Sequence, residues 1–558
     1  MYRQLYDPVA HSLGVSSIFA ALALLVLFVL LGALRWKAHW AALVALGVSL
    51  VVAIVAYHMP VGQALDSAAE GAAFGFYPIM WIVINAIWIY NMTRETGHFE
   101  VLGRSFSSVS NDQRIQAILV AFCFGALLEA LAGFGTPVAI TAVMLIALEL
   151  RPLKAAAVAL VANTAPVAFG AIAVPIITLG QVSSLPVHQL GAMVGRQTPI
   201  LALFVPLVLV FMIDGRRGVR QTWPAALTCG LAFGLAQFIS SNYISVQLTD
   251  IIAALFSAGA VMLLLQVWQP AEPLLATGVG GGQRFGRPAV AGGSADDPTF
   301  VARQQSQTVR RDPPGEVIRA YAPYLIIIVV FALAQWGPIK HALDQATVKF
   351  TWPGLHVVNA KGKAVTAATY KLDWLQGAGT LLLISGILSM PVLRLGIGAA
   401  LRCYARTLVQ LRWAILTVLT VLALAFVMNL SGQTVTLGQW MAGAGWFFAF
   451  LSPILGWLGV AVSGSDTSSN SLFGLLQVTA AHQAGLSPTL LAAANTSGGV
   501  LGKMISPQNL AIGAAAVGLA GQEGDLFRRV LGWSLVFLLL MAVLVLLQST
   551  VLSGMVVR

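Results

Sequence analysis

Charge is what this chain has least of. Only 9% of its 558 residues are Asp, Glu, Lys or Arg, against 58% hydrophobic residues, and the mean hydropathy is +0.85. A soluble domain of this length needs a charged surface, so that class is excluded. Cysteine is scarce too. Cys123, Cys229 and Cys403 are dispersed in apolar segments, which excludes a disulfide framework and offers no metal-ligand spacing. The chain has no Walker loop, no HExxH, no paired CxxC and no nucleophile elbow. ATP-driven transport and soluble-type catalysis therefore have no support, and neither an enzyme nor a cofactor is expected. The net charge of +11 does not point to nucleic acid, because the Lys and Arg sit in short loops between apolar runs, where they orient membrane spans.

What the chain has is long apolar runs. Runs of about 20 apolar residues can cross roughly 30 Å of hydrocarbon. Such spans fall near 14–34, 38–57, 72–91, 153–176, 197–213, 222–243, 250–268, 318–336, 376–396, 413–431, 488–507 and 529–550. The first has only Arg3 before it and lacks a small-residue cleavage site, so it reads as a retained span. Two further apolar segments are broken: 116–150 at Gly133–Pro137, and 440–485 at Ser463–Ser471. The Gly/Pro-rich stretch 270–317 reads as a flexible linker.

The broken segments belong to a sequence that occurs twice. Gly133-Phe-Gly-Thr-Pro137, Ala162-Asn-Thr164, Gly170 and Pro175 are echoed by Gly464-Ser-Asp-Thr-Ser468, Ala494-Asn-Thr496, Gly502 and Pro507. Asn163, Gly170 and Pro175 have the spacing of Asn495, Gly502 and Pro507. Matched interruptions in two halves of a membrane protein point to a transporter binding site.

Charge orients the spans. Arg35, Lys37, Arg94, Arg104, Arg114, Arg151, Lys154, Arg216, Arg217, Arg220, the 270–317 linker, Arg394, Arg402, Arg406, Arg412, Arg528 and Arg529 fall on one side when the spans alternate. By the positive-inside rule this side is cytoplasmic. Asp66, Glu70 and the loop 337–375 then lie outside, as do both termini. Alternation works if each broken segment enters and leaves on one side, the first inside and the second outside. The number of crossings between the two units is then odd, so the second unit is inverted. The expected fold is an all-α polytopic membrane protein with an inverted-topology repeat: roughly 12 transmembrane helices plus two helical hairpins, with broken helices at the midplane. Residues 1–268 would carry the first repeat and two linking spans, 269–317 a cytoplasmic linker, and 318–558 the second repeat.

Broken helices at membrane depth are tolerated where they are buried in protein or line a cavity. Their free N–H groups and positive dipole ends receive anions. Thr136-Pro137 reads as a helix start with Thr as N-cap and Pro in the first turn. Ser463–Asn470 offers several further N-caps. Gly, Ser and Thr in such breaks also serve simply to let helices pack closely.

Three ionisable residues stand in apolar surroundings: Glu129, Asp466 and Lys503. Each costs about 2.5–3.5 kcal/mol near a helix centre, so such groups are functional or paired. Their repeat partners are Val460, Gly135 and Ala171, so each charge is unique to one half. Lys503 would hold a carboxylate, or pair with Glu129 or Asp466 and lock the halves together. Asp466 would carry a coupling proton or cap a helix. Glu129 would carry the proton, or form a structural ion pair or a hydrogen bond to backbone. Asp250 opens a span and reads as a cap. His58 and His188 read as solvated, Arg196 as a snorkelling interfacial residue, and Trp36, Trp40 and Trp81 as an interfacial belt.

The stretch Gly125-Ala-Leu-Leu-Glu-Ala-Leu-Ala-Gly-Phe-Gly-Thr-Pro-Val-Ala-Ile140 closely resembles the L-lactate permease family. So do Ala162-Asn-Thr-Ala-Pro-Val-Ala-Phe-Gly170, Gly464-Ser-Asp-Thr-Ser-Ser-Asn470, Ala494-Asn-Thr-Ser-Gly-Gly499 and Gly502-Lys-Met-Ile-Ser-Pro-Gln508. The resemblance runs nearly end to end and implies uptake of lactate, and often glycolate, coupled to protons across the bacterial inner membrane. The expectation is a multi-pass symporter for L-lactate and related 2-hydroxymonocarboxylates (D-lactate, glycolate). Its partners would be that small substrate and the lipid bilayer; its coupling ion would be H⁺. From the repeat, Lys503 would hold the substrate carboxylate, and Thr136, Asn163, Thr164, Thr467, Ser468, Asn495 and Thr496 would orient the molecule. Asp466 or Glu129 would carry the proton. Na⁺ coupling, with Asp466 and Ser/Thr oxygens as ligands, and a passive anion channel are the alternatives.

Overall fold

A computed structural model describes residues 1–557 except 108, 111, 134, 275–311 and 366–367. Most of the expected linker therefore lies outside the described residues, as does Phe134 of the first hairpin tip.

The described chain is helical almost throughout. In order it forms α1 (Leu13–Phe28), α2 (Ala38–Val55), α3 (Val61–Phe74), α4 (Trp81–Glu95), α5 (His98–Ser107) and α6 (Gln113–Ala132). Then come α7 (Thr136–Ala147), α8 (Pro152–Ala162), α9 (Gly170–Ser183), α10 (Val187–Val194), α11 (Thr198–Ile239) and α12 (Thr249–Val267). After the linker follow α13 (Pro314–Gln335), α14 (Gly337–Gln345), α15 (Ala378–Val392), α16 (Ile397–Ser431), α17 (Gln433–Met441) and α18 (Phe448–Ser463). The chain ends with α19 (Asp466–Ala484), α20 (Pro488–Gly502), α21 (Pro507–Ala516) and α22 (Glu523–Gln548). The short strands β1 (Tyr2–Arg3), β2 (Val348–Thr351), β3 (Val357–Val358) and β4 (Thr369–Leu372) lie near the N-terminus and in the 337–375 loop; β1 pairs with β3 and β2 with β4.

Among the described residues, 10 helices are long and apolar enough to cross a membrane, and an eleventh span is the pair 152–162 and 167–183, bent by 61°. Every expected span has a helical counterpart. The spans near 197–213 and 222–243 are the two arms of α11, which breaks at Asp214–Gly215. The segment expected at 376–396 is the shorter α15, and α16 begins well before residue 413.

Local chemistry sets the ends. Ser465, Ser487 and Ser506 cap α19, α20 and α21 through their hydroxyls, with Pro488 and Pro507 in the first turns of α20 and α21. Gly464, at φ +76°, ends α18 in the left-handed conformation that glycine adopts without a steric penalty. The first hairpin differs from expectation: Gly135, at φ +83°, is the N-cap of α7, and Thr136 is its first helical residue with no side-chain cap. A backbone that must turn this sharply at φ > 0 favours glycine over threonine.

The hairpins return to the side they left. Gln113, which opens α6, donates from its side chain to the carbonyl of Leu148, just past α7 (2.8 Å). The two repeat units then pack reciprocally. Helix α9 of the first lies on α19 of the second, and α21 of the second lies on α7 of the first. A pseudo-two-fold relation between the units produces this exchange.

Charged groups collect as alternation requires. Arg114 bridges Asp112 and Asp214, Lys154 donates to the Ile213 carbonyl, Arg217 meets Glu272, and Arg104 meets Asp312. The strand pair β1–β3 ties the N-terminus to the 337–375 loop, and Arg196 holds the carbonyl of Met555.

Candidate functional site

The tips of both hairpins and the ends of both broken helices meet at one cavity of about 1160 Å³. Its wall includes Glu129, Gly133 and Gly135 from the first hairpin, Gly170, Ala171 and Pro175 from the first broken helix, Ser463–Ser468 from the second tip, and Lys503 and Pro507–Asn509 from the second broken helix. The cavity opens past Arg35, Trp36, Lys37 and Glu523. Stacked His39 and Trp413 (ring centroids 4.6 Å apart) form part of the same mouth.

At the centre, Lys503 Nζ lies 2.6 Å from Glu129 Oε1 and 3.0 Å from the Gly133 carbonyl. Asn163 Nδ2 donates to the other carboxylate oxygen at 2.9 Å. Glu129 is 2% exposed and Lys503 6%. This pair joins the two repeat units. A buried ion pair contributes little net stability, but losing one partner strands the other at a cost of about 3–5 kcal/mol.

Asp466 is 3% exposed, and neither carboxylate oxygen has a hydrogen-bond partner within the described protein. It is not the helix cap, since Ser465 fills that role. It occupies the first turn of α19, where the free N–H groups and the helix dipole favour a negative charge, and it lines the cavity. Thr467 and Ser468 line it as well.

The structure puts the other expected ligands elsewhere. Asn163 stands behind Glu129, and Thr164 turns its hydroxyl back to the Val161 carbonyl. Asn495 and Thr496 are fully buried and bond to Asn470 (2.9 and 3.1 Å), with Gln477 donating to Asn495 Oδ1. Thr136 is half-buried at the start of α7, outside the cavity wall. These amides and hydroxyls hold the breaks in shape instead of facing the cavity. Gly498 and Gly502 press against the backbone of α18, so close packing accounts for those two.

Two residues carry more than their sequence suggested. Asn470 donates to the Pro175 carbonyl (3.1 Å) and to Thr496 (2.8 Å), so it ties α19 to the first broken helix. Its position at the end of the Gly-Ser-Asp-Thr-Ser-Ser-Asn motif was the available signal. Asp250 does not cap α12. It is 0% exposed, and both its carboxylate oxygens lack a hydrogen-bond partner among the described residues. The first broken helix also departs from ordinary backbone: Ala171, Ile172 and Ala173 all have positive φ (45°, 57°, 59°). Such conformations cost of order 1–3 kcal/mol each and cluster at functional sites.

A sequence model of L-lactate permeases matches residues 16–552. The chain belongs to the L-lactate permease family. Its relatives include the glycolate permease GlcA of Escherichia coli K12, 43% identical over all of this chain and 99% of that one. The L-lactate permease of Salmonella typhimurium is 42% identical with full coverage of both, and that of Bacillus subtilis 38%, also with full coverage. Among solved structures, Neisseria gonorrhoeae MtrF, of a class of antimetabolite efflux pumps, matches at a TM-score of 0.47 with 15% identity over 88% of this chain and 84% of its own. The Alcanivorax borkumensis YdaH transporter matches at 0.46 with 16% identity over 87% and 88%. Membership in a permease family, with the apolar spans, makes this chain a multi-pass transporter of the bacterial inner membrane and not an enzyme.

Proposed function

We propose that the chain imports L-lactate and related 2-hydroxymonocarboxylates, D-lactate and glycolate, by proton symport. One observation carries the reading. A buried lysine in the wall of the shared cavity is held by a carboxylate of the opposite repeat unit. A substrate carboxylate is costly to desolvate without a cation or several donors. Lys503 is the cation within reach, and Glu129 already engages it. The two carboxylates compete. A proton on Glu129 removes its charge and frees Lys503 for the substrate, so proton and lactate bind together. Asp466, Thr467 and Ser468 stand across the tip where the substrate hydroxyl and the helix N–H groups would meet. By the positive-inside rule the mouth at Arg35 and Lys37 is cytoplasmic, so the cavity faces inward. Alternating access would be movement of one repeat around this site.

Sodium coupling is the second reading, favoured by the unpartnered oxygens of Asp466 beside hydroxyl side chains. Uptake of labelled lactate into proteoliposomes, with an imposed proton or sodium gradient and competing 2-hydroxy acids, separates them. Accumulation driven by the proton gradient alone, inhibited by glycolate and weakly by propionate, is expected. Accumulation that requires sodium, or none against a gradient, overturns the proposal.

A further inference from the structure

Asp250 lies at the start of α12, which packs on the α6 segment carrying Glu129. It is fully buried, its two oxygens have no hydrogen-bond partner among the described residues, and it is not part of the cavity wall. An ionised carboxylate in such a place is far more costly than a protonated one. Glu129 sits on the α6 segment that packs on α12, and the buried Gln237 sits on α11, which also packs on α12.

Gln237 accepts from Thr198 (3.1 Å) and donates to the Ala165 carbonyl (3.3 Å). Next to Thr198, the buried Gln197 donates to Gln548, which reaches the carbonyl of Arg196 on the face opposite the cavity mouth. A line of polar side chains thus runs from that face towards Asp250. The other titratable groups on the elements packed against α12 are Cys123 of α6 and Cys229 of α11, grouped at Ser257 two turns along, the exposed Tyr243, and, at the cytoplasmic ends, Arg114 of α6 with Asp214, Arg216, Arg217 and Arg220 of α11. The segment 170–183 contributes none.

We infer that Asp250 is the proton-entry residue of the symport proposed above: it receives a proton from the Arg196 face and passes it to Glu129. Neither Asp250 oxygen is within hydrogen-bond distance of Glu129, so water carries the proton between them: the Asp250 O–H bond breaks to an intervening water, and that water gives a proton to Glu129, where an O–H bond forms. Asp250 is left as a carboxylate, to be reprotonated from water on that face. Because Asp250 lies off the cavity wall, it does not touch the substrate. Its loss should therefore spare substrate exchange while it disables net proton-driven transport.

The test uses the full chain in proteoliposomes, with Asp250→Asn and Asp250→Glu beside the parent. Lactate–lactate counterflow needs no proton to enter or leave, and it reports folding. The expected result is counterflow within about twofold of the parent in Asp250→Asn, with proton-driven uptake reduced at least about tenfold and its dependence on external pH flattened; Asp250→Glu should restore part of both. Proton-driven uptake and a pH profile like the parent's in Asp250→Asn would overturn the inference. So would equal loss of counterflow and net uptake in both variants, which marks a structural residue. A parent that moves lactate without protons would instead overturn the symport reading.

Discussion

Lys503→Ala is the most informative single substitution. It removes the ammonium 2.6 Å from Glu129 Oε1 and 3.0 Å from the Gly133 carbonyl. Two effects follow, with different signatures. For the substrate, a charge-assisted hydrogen bond is worth about 1.5–3 kcal/mol, which corresponds to roughly a 10- to 150-fold rise in half-saturating lactate. For the protein, Glu129 is left buried without its cation, which costs about 3–5 kcal/mol of stability unless it takes up a proton. The double variant Lys503→Ala/Glu129→Gln separates them, because it leaves no stranded charge and keeps an amide beside Asn163. The double variant should recover thermal stability but not lactate affinity. Counterflow over a range of lactate concentrations and a thermal melt in detergent measure both quantities. If Lys503→Ala shows the parent's half-saturating concentration, Lys503 is only a counter-ion and the helix termini alone hold the anion.

Asp466→Asn keeps the shape of the α19 start and leaves the Glu129–Lys503 pair intact, so it should change lactate affinity in counterflow while proton-driven accumulation persists; loss of proton-driven accumulation with counterflow retained would move the coupling proton from Glu129 to Asp466. Asn470→Ala removes the side-chain donor of the Pro175 carbonyl, strands the Thr496 hydroxyl and takes one of three partners from Asn495; at about 1–3 kcal/mol per unsatisfied buried group it should lower the melting temperature by several degrees, and an unchanged melt would show that the Asn470 knot does not hold the break. Single cysteines at Gly362 and at Gly281 (the latter outside the described residues), in a background without native cysteines, should label from opposite sides of the membrane; labelling from one side contradicts the inverted repeat.

The spans and both hairpins were legible because membrane helices announce themselves by composition and the repeat announces its own breaks. The Glu129–Lys503 pair was one of two readings the residues allowed. The reciprocal packing of the units brings residue 129 beside 503 and forms the pair; the substrate role of Lys503 rests on the proposal above. Where Asn163, Asn495 and Thr496 point was not legible, because a polar residue in a membrane helix reads the same whether it faces a ligand or another side chain. Their partners, Glu129 and Asn470, are distant in sequence. Thr136 misled because threonine is a common cap, whereas the sharp turn needs Gly135 at positive φ. Asp250 looked like a cap from its place before an apolar run. Nothing local records that residues 248–250 are buried against the rest of the protein.

The central claim is that a proton on Glu129 releases Lys503 to the substrate, so lactate binding must take up protons. Calorimetric titration of lactate into the purified protein, repeated in buffers of different ionisation enthalpy, measures the number directly. The parent should take up about one proton per lactate bound, as two carboxylates sharing one lysine require, and Glu129→Gln markedly less. Lactate binding by the parent with no net proton uptake would contradict it.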